Sequence, residues 1–185
     1  MQTTQQASAG DVVELWTAAH HRLGLTPSVR RVWCRRGQRP QVVVQHRDQW
    51  GSLYAFVPPA SGRSVWWRLP TVSVAAFTVA LGECAQTVGA GHGQQMMLVR
   101  DGAGWHVSPQ VQVPTGVHWH VLPPSSPELP PAECRWPLTN EALAHRHLRD
   151  LDAREAVQAQ RGLPVQARPE VIRTHTTCHW WPQTA

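Results

Sequence analysis

The sequence predicts a mixed α/β fold in which an antiparallel meander of strands precedes helices and further strands. Between Val12 and Leu69, short segments rich in β-branched and aromatic residues alternate with breaks that contain Gly and Pro, a pattern typical of strands and turns. From Val74 the apolar residues recur at steps of three and four, which indicates a helix. This order of elements predicts a sheet with helices packed on its faces.

The meander is expected to contain five strands. Turn residues separate them at positions 24–27, 37–40 and 58–62. The predicted strands cover residues 12–16, 30–36, 41–46, 52–57 and 64–69.

A helix is predicted over residues 74–88. Ser73 is a suitable N-cap because its hydroxyl can accept a bond from a free backbone N–H, and Gly89 suits the left-handed residue that ends a helix. One face of the helix is apolar and consists of Val74, Phe77, Leu81, Cys84 and Val88.

Two strands and two helices are expected after this helix. Residues 96–99 form a short apolar strand that leads into a Gly-rich loop, and residues 117–122 form another strand. Pro131 suits the first turn of a helix that runs to about His147. Asp150 is predicted to cap a last helix over 151–161, which Gly162 and Pro164 end.

The composition is that of a basic globular chain. The formal net charge is +5, and all 17 basic side chains are Arg. Charged residues make up 16% and hydrophobic residues 42%, which excludes disordered and fibrous proteins. No segment approaches the roughly 18 continuous apolar residues of a membrane span, and the N-terminus lacks the layout of a secretory signal. We therefore expect a cytoplasmic protein with no membrane contact.

Arginines are concentrated between Arg22 and Arg47, a stretch that contains no acid. Guanidinium groups pair bidentately with phosphate, so the cluster indicates a polyanionic partner such as nucleic acid. A solvated hairpin in a protein from an Arg-biased genome is the alternative. The candidate DNA-binding residues are Arg30, Arg31, Arg35, Arg36 and Arg39.

Histidine and cysteine allow two weak zinc hypotheses. The first uses His175, Cys178 and His179, and the second uses His118 and His120, which alternation in a strand places on one face. Neither has a second ligand pair to complete a tetrahedral site. The four cysteines are far apart and are expected to be free thiols.

Two of the twelve acids are candidates for metal-dependent chemistry. Asp101 follows a strand expected to be buried, and Glu133 opens a predicted helix. Two Mg²⁺ ions about 4 Å apart would activate an attacking oxygen and stabilise the departing one. The structural alternatives are a loop cap for Asp101 and a first-turn acid for Glu133. His106, five residues after Asp101, is a candidate for orienting a phosphate.

Two motifs around these acids resemble the mariner-like transposases, and specifically the bacterial insertion sequence 630 branch. They are Leu98-Val-Arg-Asp101-Gly-Ala-Gly-Trp105-His106 and Ser126-Pro-Glu-Leu-Pro-Pro-Ala-Glu133. Further segments that resemble this branch extend the likeness over nearly the whole chain: Val13-Glu-Leu-Trp16, Arg36-Gly-Gln-Arg-Pro40 and His179-Trp-Trp-Pro182.

The resemblance implies a ribonuclease H-like fold and a catalytic triad of three acids. Such enzymes bind two Mg²⁺ or Mn²⁺ ions, cut transposon ends and join them to target DNA. By matching, Asp101 is the second acid and Glu133 the third, and both serve as catalytic and metal-binding residues. The implied partners are double-stranded DNA, at transposon ends and target, and a second copy of the chain.

The first acid of the triad is missing. Relatives have an Asp-Glu pair where this sequence has Ala19 and His20. Arg135 stands where relatives have an apolar residue, and the family's N-terminal helix-turn-helix region is absent, so a separately encoded portion is expected to supply it.

The predicted function is that of a transposase catalytic domain for DNA recombination and integration, impaired by Ala19. The alternative is a catalytically dead remnant that only binds nucleic acid through the arginines. The predicted domains are a disordered N-terminus (1–10), a ribonuclease H-like catalytic domain (11–162) and a C-terminal tail (163–185). The location is expected to be the bacterial cytoplasm, at the nucleoid.

Overall fold

A five-stranded mixed sheet forms the centre of the computed structural model, which describes residues 10–26, 28, 30–43, 47–91, 93–124, 126 and 129–182. The strands are β1 (Val12–Gly24), β2 (Trp50–Val57), β3 (Val65–Leu69), β4 (Gln94–Arg100) and β5 (Val117–Val121). They lie in the order β3-β2-β1-β4-β5. β1, β2 and β3 pair antiparallel, whereas β1, β4 and β5 pair parallel.

Within the described residues, five helices and two 3₁₀ segments accompany the sheet. They are α1 (Val74–Val88), α2 (Gly104–Val107), α3 (Trp136–Asn140), α4 (Leu151–Gln166), α5 (Pro169–Thr176) and the 3₁₀ segments Pro131–Arg135 and Glu141–Leu143. This arrangement confirms the predicted α/β class and the ribonuclease H-like mixed sheet.

The two faces of the sheet bury separate cores. Alternation along β1 sends Trp16 and Ala18 to one face, where they pack with Phe77 and Leu81 of α1. Ala19 points to the opposite face. The core on that side is formed by Ala19, Leu53, Ala55, Val57, Ala132, Trp136, Val165 and Ile172.

The first helix begins and ends as predicted. Ser73 Oγ accepts a hydrogen bond from the backbone N–H of Ala76 at 3.1 Å. Gly89 has φ 72° and donates its N–H to carbonyls of the last turn, as a left-handed C-cap does. These caps fix the helix that covers the first face of the sheet.

Within the described residues, the prediction of two strands of the meander is wrong. Residues 30–36 and 41–43 have no strand structure and are exposed, and 44–46 lie outside the described residues. Their β-branched and aromatic residues have strand propensity, but they lie in the connection between β1 and β2, and β1 already pairs on both sides, with β2 and β4. The other predicted strands are confirmed, and β1 continues to Gly24.

The helix expected over 131–147 is interrupted. The 3₁₀ segment Pro131–Arg135 leads into α3, and a second 3₁₀ segment follows. Pro137 contributes to the break because it lacks the N–H that would bond back to Glu133.

The predicted end of the last helix is also wrong. α4 runs through Gly162 and Pro164 to Gln166. Gly162 is buried against Trp66, where an added Cβ would lie 2.5 Å from the ring. Tertiary packing therefore favours glycine within this helix despite its low propensity. α5 then packs Ile172, which is fully buried, on the same face.

Among the described residues, no helix combines the length and apolar character that crossing a membrane requires.

Candidate active site

The three positions of the expected acidic triad lie together at the end of β4. Thr17 of β1 pairs with Val99 of β4 in the parallel register. Two residues beyond this pair, Ala19 and Asp101 are therefore level with each other. Ala19 packs in the same core as Ala132, the residue before Glu133. The fold therefore brings Ala19, Asp101 and Glu133 to one place, although they come from three distant parts of the sequence.

Asp101 is held in position by two donors. Its Oδ1 accepts a bond from the N–H of Ala103 at 3.1 Å and lies 2.5 Å from Nδ1 of His106. An ionised carboxylate can only accept, so Nδ1 donates. The bond from His106 lowers the pKa of Asp101 below its ordinary value, against the opposing effect of partial burial. Asp101 is thus kept ionised at neutral pH, with its side chain 48% exposed.

The side chain of His106 contacts Asp101 and is shielded from solvent. It lies in α2 directly after the Gly-rich loop, and its ring is 1% exposed. The ring packs on Phe77 with the centroids 4.4 Å apart. A ring buried in this way does not face solvent, so the predicted contact with a phosphate is not supported.

Glu133 has the opposite electrostatic environment. Burial, and next the negative charge of Asp101, raise the pKa of Glu133 to about 7. The two carboxylates are therefore close enough to repel each other. Near neutral pH, Glu133 is about half protonated while Asp101 stays charged.

His20 adds an imidazole at the position where the resemblance to mariner-like transposases implies the second residue of an Asp-Glu pair. Its ring centroid lies 5.1 Å from that of Tyr54 and 5.8 Å from that of Trp105. Burial, followed by the charge of His106, lowers the pKa of His20. The grouping of His20, Trp105 and His106 beside Asp101 arises from the parallel pairing of β1 with β4, which the sequence pattern did not predict.

These residues do not fit a two-ion centre. The side chain of Ala19 offers no oxygen, and of the site residues that the structure describes, only Asp101 and Glu133 carry carboxylates. Among the described residues, no three His, Cys, Asp or Glu side chains surround a point where a metal ion could be bound. The zinc hypotheses receive no support either: Nε2 of His118 contacts Gln95 at 3.0 Å, and Nδ1 of His175 bonds to a backbone carbonyl within α5.

Two buried arginines adjoin the acids in the sequence. Arg100 is 1% exposed and stacks on Trp119, with 4.1 Å from its guanidinium carbon to the ring centroid. Arg135 is completely buried, and its guanidinium lies 5.0 Å from the centroid of Trp66. Within the described part of the chain, none of the three guanidinium nitrogens of Arg135 has a hydrogen-bond partner. Burial lowers the pKa of both arginines to about 10.

The predicted DNA-binding residues lie on a different segment of the chain from the acids. All five lie in the exposed segment between β1 and β2 and have no regular secondary structure: Arg30, Arg31, Arg35, Arg36 and Arg39.

Comparison with known proteins agrees with this geometry. Residues 20–155 match the family model described as DDE superfamily endonuclease. The chain is 34% identical over 104 residues to the uncharacterized protein y4pE/y4sA of Sinorhizobium fredii, covering 56% of this chain and 76% of that protein.

Solved structures of Mos1 share the fold. The Mos1 mariner paired-end complex with Mn has a TM-score of 0.55 at 14% identity, covering 91% of this chain and 57% of that one. The Mos1 strand transfer complex has a TM-score of 0.54 at 13% identity, covering 91% of this chain and 56% of that one. This chain thus spans little more than half the length of these proteins. The match over residues 20–155 shows that the chain belongs to the DDE superfamily endonuclease family, with the fold of the Mos1 mariner transposase.

Proposed function

We propose that this chain is a transposase catalytic domain for DNA transposition whose strand cleavage and transfer are impaired. The observation that carries the proposal is the position of Ala19, level with Asp101 and packed with the segment that holds Glu133. An aspartate there would complete three converging carboxylates. The assignment to the insertion sequence 630 branch remains a prediction, carried by the two motifs.

Asp101 and Glu133 are proposed as the remaining catalytic and metal-binding residues. Carboxylate oxygens are the ligands that Mg²⁺ and Mn²⁺ take in proteins. Mos1 complexes with Mn and with Mg support the use of a divalent ion in this family. His106 keeps Asp101 ionised, whereas Glu133 must lose its proton before it can bind a cation.

The proposed partners follow from the family. They are double-stranded DNA at transposon ends and target, a second copy of the chain, and a separately encoded helix-turn-helix portion. The Mos1 neighbours include a paired-end complex with the left transposon end, which supports DNA as the substrate.

The test restores the missing carboxylate. Ala19→Asp should bind Mn²⁺ about 10- to 100-fold more tightly than the natural chain in a calorimetric titration, because it adds a ligand to two that already converge. It should also nick supercoiled plasmid DNA faster when Mn²⁺ is present. Ala19→Asn is the matched control, since it has nearly the same size but no charge.

The same variant has a readout that does not depend on DNA. Without metal, a third carboxylate beside two that already repel should lower Tm, and Mn²⁺ should raise Tm more in Ala19→Asp than in Ala19→Asn. Adding Glu133→Gln should remove the gain. Equal Mn²⁺ binding by the two Ala19 variants would show that Ala19 is not the vacated first ligand.

A second candidate function is nucleic-acid binding without catalysis. It is favoured by the exposure of all five candidate arginines in one segment that contains no acid. Binding to duplex DNA should then weaken steeply as salt increases, because each neutralised phosphate releases counterions. A flat salt response would contradict it.

A further inference from the structure

The segment between β1 and β2 forms an exposed and strongly basic surface. We call residues 30–43 the arginine arm. All of these residues are exposed, and none lies in a helix or strand. The arm contains five arginines and no acid. It therefore carries a dense positive charge that no carboxylate of its own offsets.

The root of the arm is fixed to the body of the domain. Leu25 donates its N–H to the carbonyl of Gln49 at 3.0 Å, and this bond joins the segment that enters the arm to the segment that leaves it. Arg154 of α4 donates to the carbonyl of Thr26 at 3.1 Å and to Oγ of Ser28 at 2.8 Å. The arm is thus anchored at its base, and its direction relative to the sheet is set there.

The tip of the arm is an ordered turn. Gln38 donates its N–H to the carbonyl of Arg35 at 3.0 Å, and Gly37 has φ 85°, as the third residue of a type II turn requires. Sγ of Cys34 lies 3.3 Å from the carbonyl of Gln38 and donates to it. These two bonds therefore hold residues 34–38 in a defined conformation.

Trp33 stands next to this turn with its side chain fully exposed, at 103% of the reference area. Its neighbour Val32 is 50% exposed. Large aromatic rings normally bury most of their surface, so a bare indole offers a flat apolar face to a binding partner. A partner must tolerate the five arginines of the same arm, which disfavours the same arm of a second copy because like charges repel.

We propose that Trp33 stacks on an unpaired nucleic-acid base while the arginines of the arm neutralise the flanking phosphates. An aromatic ring among basic groups is the arrangement that binds single strands, since every base offers a flat face once it has left the duplex stack. Paired bases already stack on their neighbours. The inference rests on the proposed nucleic-acid function and names unpaired nucleotides as the ligand of the arm.

The experiment compares one single-stranded oligonucleotide with its duplex by fluorescence anisotropy over about 50 to 300 mM salt. Trp33→Ala should weaken single-strand binding about tenfold and duplex binding much less, without changing the slope of log K against log salt. Arg35→Gln should instead reduce that slope by about 0.7 for the single strand. Val43→Ala, which trims another exposed apolar residue of the arm, is the matched control and should have no effect.

A second measurement reports stacking directly. A 2-aminopurine base in the single strand should lose fluorescence on binding the natural chain and keep it with Trp33→Ala. Equal single-strand affinity of Trp33→Ala and the natural chain, with a normal salt slope, would overturn the stacking role and leave nucleic-acid binding intact. Absence of salt-dependent binding by the natural chain would overturn both. A dimer that Trp33→Ala converts to monomer in sedimentation would show that the arm contacts another copy instead.

Discussion

Arg135 should destabilise the fold, and its replacement by methionine should stabilise it. The guanidinium is fully buried and contacts the rings of Trp66 and Trp136 at 5.0 and 5.6 Å from their centroids. None of its nitrogens finds an acceptor among the described residues. A buried charge without a partner loses the solvation that it has in the unfolded chain.

The cost can be worked out from the pKa. Burial lowers the pKa of Arg135 to about 10. Against an ordinary value of roughly 12.5, at about 1.4 kcal/mol for each pKa unit, this corresponds to about 3 kcal/mol against folding. The folded pKa lies below the unfolded one, so the full penalty is present at every pH well below 10. Contacts with the two indole rings offset about 0.5 to 2 kcal/mol. The net gain expected for Arg135→Met is therefore about 1 to 3 kcal/mol.

Urea unfolding at neutral pH, followed by Trp fluorescence, measures this gain. The midpoint should rise with little change in the slope, and Tm should increase by roughly 2 to 12 °C for a domain of this size. Arg173→Met is the control because Arg173 is exposed on α5, and its effect should stay within about 0.5 kcal/mol. A loss of stability in Arg135→Met would refute the reasoning, since it would mean that the guanidinium has a compensating acceptor.

Two further predictions concern the helices. Gly162→Ala should lower the free energy of unfolding by about 1 to 3 kcal/mol, because its Cβ would lie 2.5 Å from the ring of Trp66. Gly82→Ala is the control: a Cβ there meets no atom within 4 Å, so urea unfolding should show a gain of up to about 1 kcal/mol, and equal effects of the two variants would contradict the packing argument. Asp150→Asn should reduce the fall in the free energy of unfolding as the pH is lowered into the acidic range. Bonds from Ala153 and Arg149 lower the pKa of Asp150, so its contribution is present above the ordinary Asp pKa and is lost as the pH falls through the folded pKa. Unfolding curves at a series of acidic pH values would check this, and parallel profiles for both proteins would exclude it.

Local signals in the sequence predicted the elements whose stability is local. Ser73 and Gly89 bound α1 because a hydroxyl cap and a left-handed glycine act within one turn. The apolar character of β2 and β4 likewise follows from their nearly continuous burial in the sheet. The acids Asp101 and Glu133 could be selected because motifs, rather than packing, mark them.

Non-local contacts determine the features of the fold that the local sequence pattern did not predict. The arginine arm has strand-like residues, but its described residues pair with no strand of the sheet, so their strand propensity is not expressed. The end of β1, Ala18-Ala-His-His-Arg-Leu-Gly24, is poor in strong strand formers and is nevertheless strand, since β2 pairs with all of it, whereas β4 pairs only with the earlier residues Val12–Thr17. Glycine within α4 is explained by the ring of Trp66, a residue about one hundred positions away in the chain. Neither the pairing partner nor the packing partner is visible in a local pattern.

Ala19 and Arg135 affect the stability of the fold in opposite directions. Asp101 and Glu133 already repel each other, as the raised pKa of Glu133 shows, so a third carboxylate at position 19 would cost stability in the absence of a cation. Ala19 removes that cost and fills the core beside Ala132 with a methyl group. Arg135 instead adds an unpartnered charge to the same core region. Under the proposed function, Ala19 thus favours folding at the expense of metal binding, whereas Arg135 favours neither. Nucleic-acid binding through the exposed arginine arm would require neither residue, so variants at both positions should separate stability and metal binding from binding through the arm.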